Sequence, residues 1–240
     1  MGMKTVDSKE MFRMQGISAL ELLEAQFPMV QRVIVGNVIN VGYQHLFSFT
    51  HDPATPNFLK LGRASKLKPE MKNMAVEYAF MQACNKGLIP LKWTLESTGN
   101  SSIKYLKLVT SDNSCVFTIN QTASAGRRSR HAKFRDQLDD TFESSFNLFP
   151  EGSDTRTIIT EPDSAYYCEI NHGYQSDSPT FAVVGKPAKN HGWHGQLSLL
   201  NQIQLLSKGE ANDARTGIRD LEKFGKDDFA EFIIEHSKDD

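Results

Sequence analysis

Five cations and one histidine fall in the ten residues Gly126-Arg127-Arg128-Ser129-Arg130-His131-Ala132-Lys133-Phe134-Arg135, and no carboxylate follows until Asp136. Guanidinium groups at that density suit phosphate, because each planar fork can bond two phosphate oxygens at once. The stretch sits where a strand-like run, Cys115-Val116-Phe117-Thr118-Ile119, gives way to helical spacing at Phe134, Leu138, Phe142, Ser145 and Phe149. With Ser129 as the helix cap, Arg130 and Lys133 fall just inside the helix. That is the positive end of the helix dipole, which disfavours exposed cations by about 0.3–1 kcal/mol each. Such a placement calls for an anion in front of them, and free N–H groups at the same end would add to its binding. The expected phosphate contacts are Arg127, Arg128 and Arg130, with Lys133 adding charge and His131 responding to pH. Arg63, Lys66 and Lys68 form a second, sparser basic run that would extend the track. Arg135 is the weakest candidate, because Asp139 lies one helical turn on, and Lys133 and Asp136 are also spaced to pair. The competing readings are a solvated, salt-bridged face and a surface that meets an acidic protein.

A second cluster is His191-Gly192-Trp193-His194-Gly195, with Cys168 and His172 upstream. Metal binding needs three or four converging ligands, and H-x-x-H is not the i, i+4 pair of a helical zinc site. Gly192 and Gly195 favour a loop there. On such a loop Trp193 could contact a base or a partner, or else tuck into the core. Cys168 and His172, four residues apart on a strand, would stand about 13 Å from one another and form no dyad. Phosphate-loop, Rossmann and nucleophile-elbow motifs are missing, so those enzyme classes lose their usual support. Neither a metal nor a cofactor is expected.

From Pro69 the order helix–strand–strand–strand–helix–strand is similar to the core of the PD-(D/E)xK nuclease-like fold. That resemblance implies an acid in the first helix, for which Glu70 or Glu77 could serve, an aspartate on the second strand and E-x-K on the third. Asp112, however, falls in a turn, and residues 116–121 hold neither acid nor lysine. No catalytic residue is therefore carried over, and the likeness is one of element order alone.

The elements that must position these residues can be read in turn. Ser18-Ala-Leu-Glu has the capping-box pattern and should open a short helix. Met29 to Phe49 places Val30, Ile34, Val38 and Val41 on one helical face, although its β-branched residues leave a strand open. His51 to Asn57 is a loop with two prolines. Pro69 suits a first helical turn, Met71, Met74, Tyr78 and Met81 keep helical spacing, and Asn85-Lys86-Gly87 stops the helix. Three strands follow at 92–96, 103–108 and 115–119, joined by short turns that favour antiparallel neighbours. Residues 151–154 read as a loop, 165–170 and 180–185 as two further strands, and Gln196 to Ser207 as a leucine-rich helix. In the charged terminal segment Phe229, Phe232, Ile233 and His236 form an apolar helical stripe.

This pattern is an α+β architecture, a mainly antiparallel sheet of about five strands flanked by helices. At 240 residues it fits one domain, with 1–66 a helical amino-terminal region, 67–207 the sheet-bearing core and 208–240 a charged helical segment. A net charge of -2 excludes a globally basic protein, so the basic stretch is a local feature. The three cysteines are odd in number and have no C-x-x-C pairing, as buried free thiols of a reducing compartment would be. No apolar run reaches membrane-spanning length, the first residues lack a signal-peptide core, and Val6 breaks the myristoylation pattern. A cytoplasmic protein that contacts no membrane is expected. The leading expectation is a nucleic-acid-binding protein, for DNA or RNA or another phosphate-bearing ligand, without robust catalysis. The alternatives are a protein-interaction module, such as an inhibitor or antitoxin-like partner, and a metal-dependent nuclease-like enzyme.

Overall fold

A computed structural model describes residues 18–60, 62, 66–99, 103–139, 165–188 and 192–201. Among these residues three helices come first: α1 (Ala19–Gln26), α2 (Met29–His51) and, after a 3-10 turn at Asn57–Lys60, α3 (Lys68–Asn85). The expected capping box opens α1. Ser18 Oγ accepts from the Glu21 N–H at 3.2 Å, and the Glu21 carboxylate accepts from the Ser18 N–H at 2.9 Å. The β-branched run of α2 is helical because ten of its residues, Val33 through Leu46, are buried against neighbours, and packing outweighs their lower helix propensity. Pro69 sits in the first turn of α3, where a missing N–H costs nothing.

Six strands then form one sheet in the order β1-β2-β3-β4-β5-β6. They are β1 (Leu91–Ser97), β2 (Lys104–Thr110), β3 (Cys115–Gln121), β4 (Tyr166–His172), β5 (Ala182–Pro187) and β6 (Trp193–Ser198), with helix α4 (Lys133–Asp139) between β3 and β4. All neighbours are antiparallel except β3 and β4, which run parallel from Cys115↔Tyr166 to Gln121↔His172. A parallel pair needs a long crossover, supplied here by the segment that carries the arginines. Asp112 lies in the β2–β3 turn, where its carboxylate accepts from the Ser114 N–H and the Thr110 and Ser114 hydroxyls.

The α+β class holds, with one strand more than expected. The sixth, β6, occupies residues read as a loop and the start of a leucine-rich helix. Leu197 and Leu199 are buried two residues apart, the period of a strand, and β6 pairs with β5 along its length. The rest of that supposed helix, from 202, lies outside the described residues, as do the 151–154 loop and the 208–240 segment.

The two faces of the sheet differ in chemistry. Phe117, Ile119, Cys168, Ile170, Val184 and Leu197 point to α1–α3 and form the apolar core. At the α2–α3 crossing a Cβ on Gly42 would lie 2.7 Å from the Cα of Val76, so the two backbones nearly touch. The opposite face carries Thr118 and Asn120 on β3, and Tyr167, Glu169 and Asn171 on β4, all buried. A polar face this dry has to be satisfied internally, and the segment 122–139 does so. Among the described residues no helix is long and apolar enough to cross a membrane.

Candidate anion-binding cleft

The basic stretch is fastened to that polar face by a buried carboxylate. Glu169, fully buried on β4, accepts the Ser129 N–H at 2.7 Å on one oxygen and the Ser129 hydroxyl at 2.8 Å on the other. Asn171 Nδ2 donates to the same carboxylate at 3.0 Å and to the carbonyl of Arg127 at 3.4 Å. Arg128 lies 3.7 Å from Glu169 through Nε and 3.1 Å from Asp139 through Nη1. Lys186 closes the cluster at 3.0 Å from Asp139. Two acids, Glu169 buried and Asp139 half-buried, are thus matched by two cations, Lys186 buried and Arg128 half-buried, which offsets the cost of desolvating each charge.

Further bonds fix the rest of the segment. Arg135 donates through Nε and Nη2 to the carbonyl of Arg130 and through Nη1 to Asn120 Oδ1 at 3.0 Å. Trp193 lies flat over Gly185, where a Cβ would meet its ring at 2.4 Å, and its indole N–H donates to the carbonyl of Ala125 at 2.9 Å.

These contacts revise several expectations. Ser129 does not cap a helix; α4 begins at Lys133, so Arg130 precedes it and feels no dipole repulsion from within. No residue of α4 is fully buried, Phe134 and Leu138 included, and Phe142, Ser145 and Phe149 lie outside the described residues. Asp139 pairs with Arg128 and Lys186 in place of Arg135, and Asp136 pairs with His131 at 2.6 Å in place of Lys133. Trp193 stands on a strand, with its ring on Gly185 and its N–H engaged, and is a brace for the arginine loop.

What the frame leaves outward is a cleft of about 470 Å³ lined by Pro69, Gln121, Thr122, Ala123, Arg127, Arg128, Arg130 and Tyr174. Among the described residues three that bear guanidinium groups contribute to it and no carboxylate does. Arg127 and Arg130 are exposed, and neither has an acidic partner among the described residues. Arg128 is largely neutralised behind them. Lys133 is exposed on the first turn of α4, and His131 is exposed with Asp136 beside it; neither lines the cleft. Pro69 brings the start of α3 to the rim, an end without a side-chain cap, whose positive dipole favours an anion. Lys68 lines a separate small depression with Tyr43, Phe47 and Asp177, Lys66 is exposed nearby in sequence, and Arg63 lies outside the described residues. Among the described residues the two basic runs therefore do not share one lining.

Tyr174, another lining residue, rests on a group that composition did not mark. Buried Lys72 of α3 donates to the carbonyls of Tyr174 and Ser176 at 2.8 and 2.7 Å, with its ammonium 5.0 Å from the centre of the Tyr43 ring. The Tyr43 hydroxyl donates to the carbonyl of Gly173 and lies 3.0 Å from Nδ1 of His172. Since that hydroxyl is spent as a donor, Nδ1 carries the proton and Nε2 is bare; Nε2 has no partner among the described residues. The carbonyl of His172 accepts from the N–H of Thr122, a cleft residue. The sequence signal was a lone lysine among buried positions of an amphipathic helix.

Burial, with Lys72 adding repulsion, lowers His172 from 6.5 to about 4. On α3 burial, reinforced by Glu70 and opposed by an Asn73 hydrogen bond, raises Glu77 from 4.5 to about 8. The signs oppose. The unfolded chain binds the extra proton at His172 between 6.5 and 4, so that stability is lost as pH falls; the folded chain holds one at Glu77, so that stability is lost as pH rises from 4.5 to 8. These two groups predict a plateau from about pH 4.5 to 6.5, and above it a decline of ~1.4 kcal/mol per pH unit. Urea denaturation against pH should show that decline in the wild type and not in Glu77→Gln. An unchanged slope in the variant would refute the assignment.

Among the described residues no three of His, Cys, Asp and Glu converge as a metal site. His172 is buried on β4, His194 is exposed on β6, and His191 lies outside the described residues. Cys115 and Cys168 are buried, and burial raises the Cys168 thiol far above its ordinary range, as suits core residues. No family model, curated protein or solved structure matches this chain.

Proposed function

We propose that the chain is a binding protein for phosphate groups of nucleic acid, DNA or RNA, and that Arg127 and Arg130 are its principal contacts. The observation that carries this reading is the cleft itself: three arginines and no carboxylate among the described residues of its lining, on a loop whose backbone is tied down at Ala125, Arg127, Ser129 and Arg130. Rigid, preformed cations bind an anion without the cost of ordering long side-chain-bearing loops. Arg128 supports the site from behind, and Lys133 with His131 would add outlying charge along the same segment. The nuclease-like alternative gains nothing from the geometry, since Glu70 and Glu77 have no third ligand beside them among the described residues. The stripe on which a protein-interaction role rested lies outside the described residues. A cytoplasmic setting fits two neighbouring buried thiols, Cys115 and Cys168, that remain unjoined.

Fluorescence anisotropy with short DNA and RNA strands across a salt series tests the proposal. Wild-type affinity should fall steeply with salt. Arg127→Ala/Arg130→Ala should flatten the log–log slope by about 1.4–1.8, the value for two lost phosphate contacts. No binding at low salt, or an unchanged slope in the double variant, would overturn it. Arg128 is left intact because its replacement would strand Glu169.

A further inference from the structure

The dimensions and the uncharged half of the cleft narrow the ligand. A duplex presents phosphates along a broad ridge, whereas about 470 Å³ is the size of a small-ligand site. Besides the arginines, the lining includes Pro69, Tyr174, Gln121 and Thr122. Tyr174 is partly exposed, and among the described residues its ring stacks on no other ring and its hydroxyl bonds no partner. Its backbone, by contrast, is pinned by the Lys72 ammonium, so the ring is offered from a fixed wall. Gln121 is also held, its Nε2 donating to the carbonyl of Pro69 at 2.6 Å, which leaves its amide oxygen available as an acceptor. Cations, an unstacked aromatic and amide and hydroxyl groups in one lining are the parts that recognise a phosphate joined to a flat heterocycle.

We propose that the cleft takes a single nucleoside-phosphate unit, its phosphate on Arg127 and Arg130 and its base against Tyr174. This inference rests on the phosphate-binding reading and adds base stacking as the second determinant. The unit can come from a free mononucleotide or from the 5′-phosphorylated end of a single strand, and the two share the chemistry of the site.

Isothermal titration or anisotropy competition with five probes tests it: inorganic phosphate, ribose 5-phosphate, a purine nucleoside monophosphate, a 5′-phosphorylated single strand and the same strand annealed in a blunt duplex. The monophosphate should bind about tenfold or more tighter than ribose 5-phosphate. Tyr174→Leu should remove that gain while leaving ribose 5-phosphate unchanged, and Tyr174→Phe should keep it. Thermal melting of both variants checks that the fold is intact. If the 5′-phosphorylated strand outcompetes the monophosphate, the source is a strand end; equal binding favours the free nucleotide, and either supports the unit. Equal affinity for ribose 5-phosphate and the monophosphate, or tighter binding of the duplex than of the single strand, would overturn the inference and leave the phosphate site standing. If no probe binds at all, inorganic phosphate included, the phosphate-binding reading fails with it.

Discussion

Glu169→Ala is expected to cost about 3–5 kcal/mol of folding stability, the range seen when one partner of a buried ion pair is removed. The carboxylate is fully buried and is the common acceptor for the Ser129 N–H and hydroxyl and the Asn171 amide, with Arg128 at 3.7 Å. Truncation removes the acceptor these donors share, leaves Asn171 only the Arg127 carbonyl and leaves Arg128 with Asp139 as its acid, which it already shares with Lys186. Glu169→Gln should be milder, about 1–2 kcal/mol, from loss of charge with most hydrogen bonds kept. Its oxygen can still take the Ser129 and Asn171 N–H groups, and its amide can donate to the Ser129 or Tyr167 hydroxyl, which can turn to accept. Urea denaturation of the three proteins would reveal this order. A cost under about 1 kcal/mol for the alanine variant would mean that Glu169 is not the anchor. Where the glutamine variant stays folded, phosphate affinity should persist, because the loop is still tied.

Gly42→Ala should also destabilise strongly, by about 3 kcal/mol, at the upper end of the usual overpacking range. Alanine is ordinarily the better helix former by about 1 kcal/mol, so local propensity predicts the opposite sign. The added carbon would sit 2.7 Å from Val76 Cα and 2.9 Å from both Val76 N and Ala75 O. These are backbone atoms, and no rotamer can clear them; α2 and α3 must move apart. Gly126→Ala is the matched control, since nothing lies within 4 Å of its Cβ position. It should change stability by less than about 0.5 kcal/mol, as an open surface site does. Similar melting temperatures for the two variants would show that the helices can yield at Gly42 without penalty.

Much of the scaffold was written in local patterns. The capping box at Ser18, Pro69 at the start of its helix and the alternating strands around Thr98 and Asp112 depend on near neighbours, and each formed where those neighbours dictate. β6 escaped because Leu197, Leu199 and Leu200 satisfy a helical count as readily as an alternating one, and only pairing with β5 decides between them. The arginine stretch announced a cationic site, yet its residues divide by partners that sequence distance hides. Arg128 belongs to the interior because Asp139 and Glu169 reach it, one from the following helix and one from across a parallel strand pair. The clue was Glu169 itself, an acid set in the apolar run Tyr166-Tyr-Cys-Glu-Ile. Lys72 and Tyr174 meet across more of the chain still, so the second wall of the cleft could be seen only once the sheet was assembled.

The parallel pairing of β3 with β4 governs when this site comes into being. Local contacts can join β1, β2 and β3 as soon as they leave the ribosome, whereas pairing of β4 must wait for the whole crossover to be made and its loop closed. The arginines emerge before their anchors Glu169 and Asn171 and before Tyr174, which completes the cleft. At that stage the arginine stretch is a basic segment without its anchors. The cleft therefore takes shape only once β4 has joined β3, and β5 and β6 then bring Lys186 and Trp193 to brace the arginine loop.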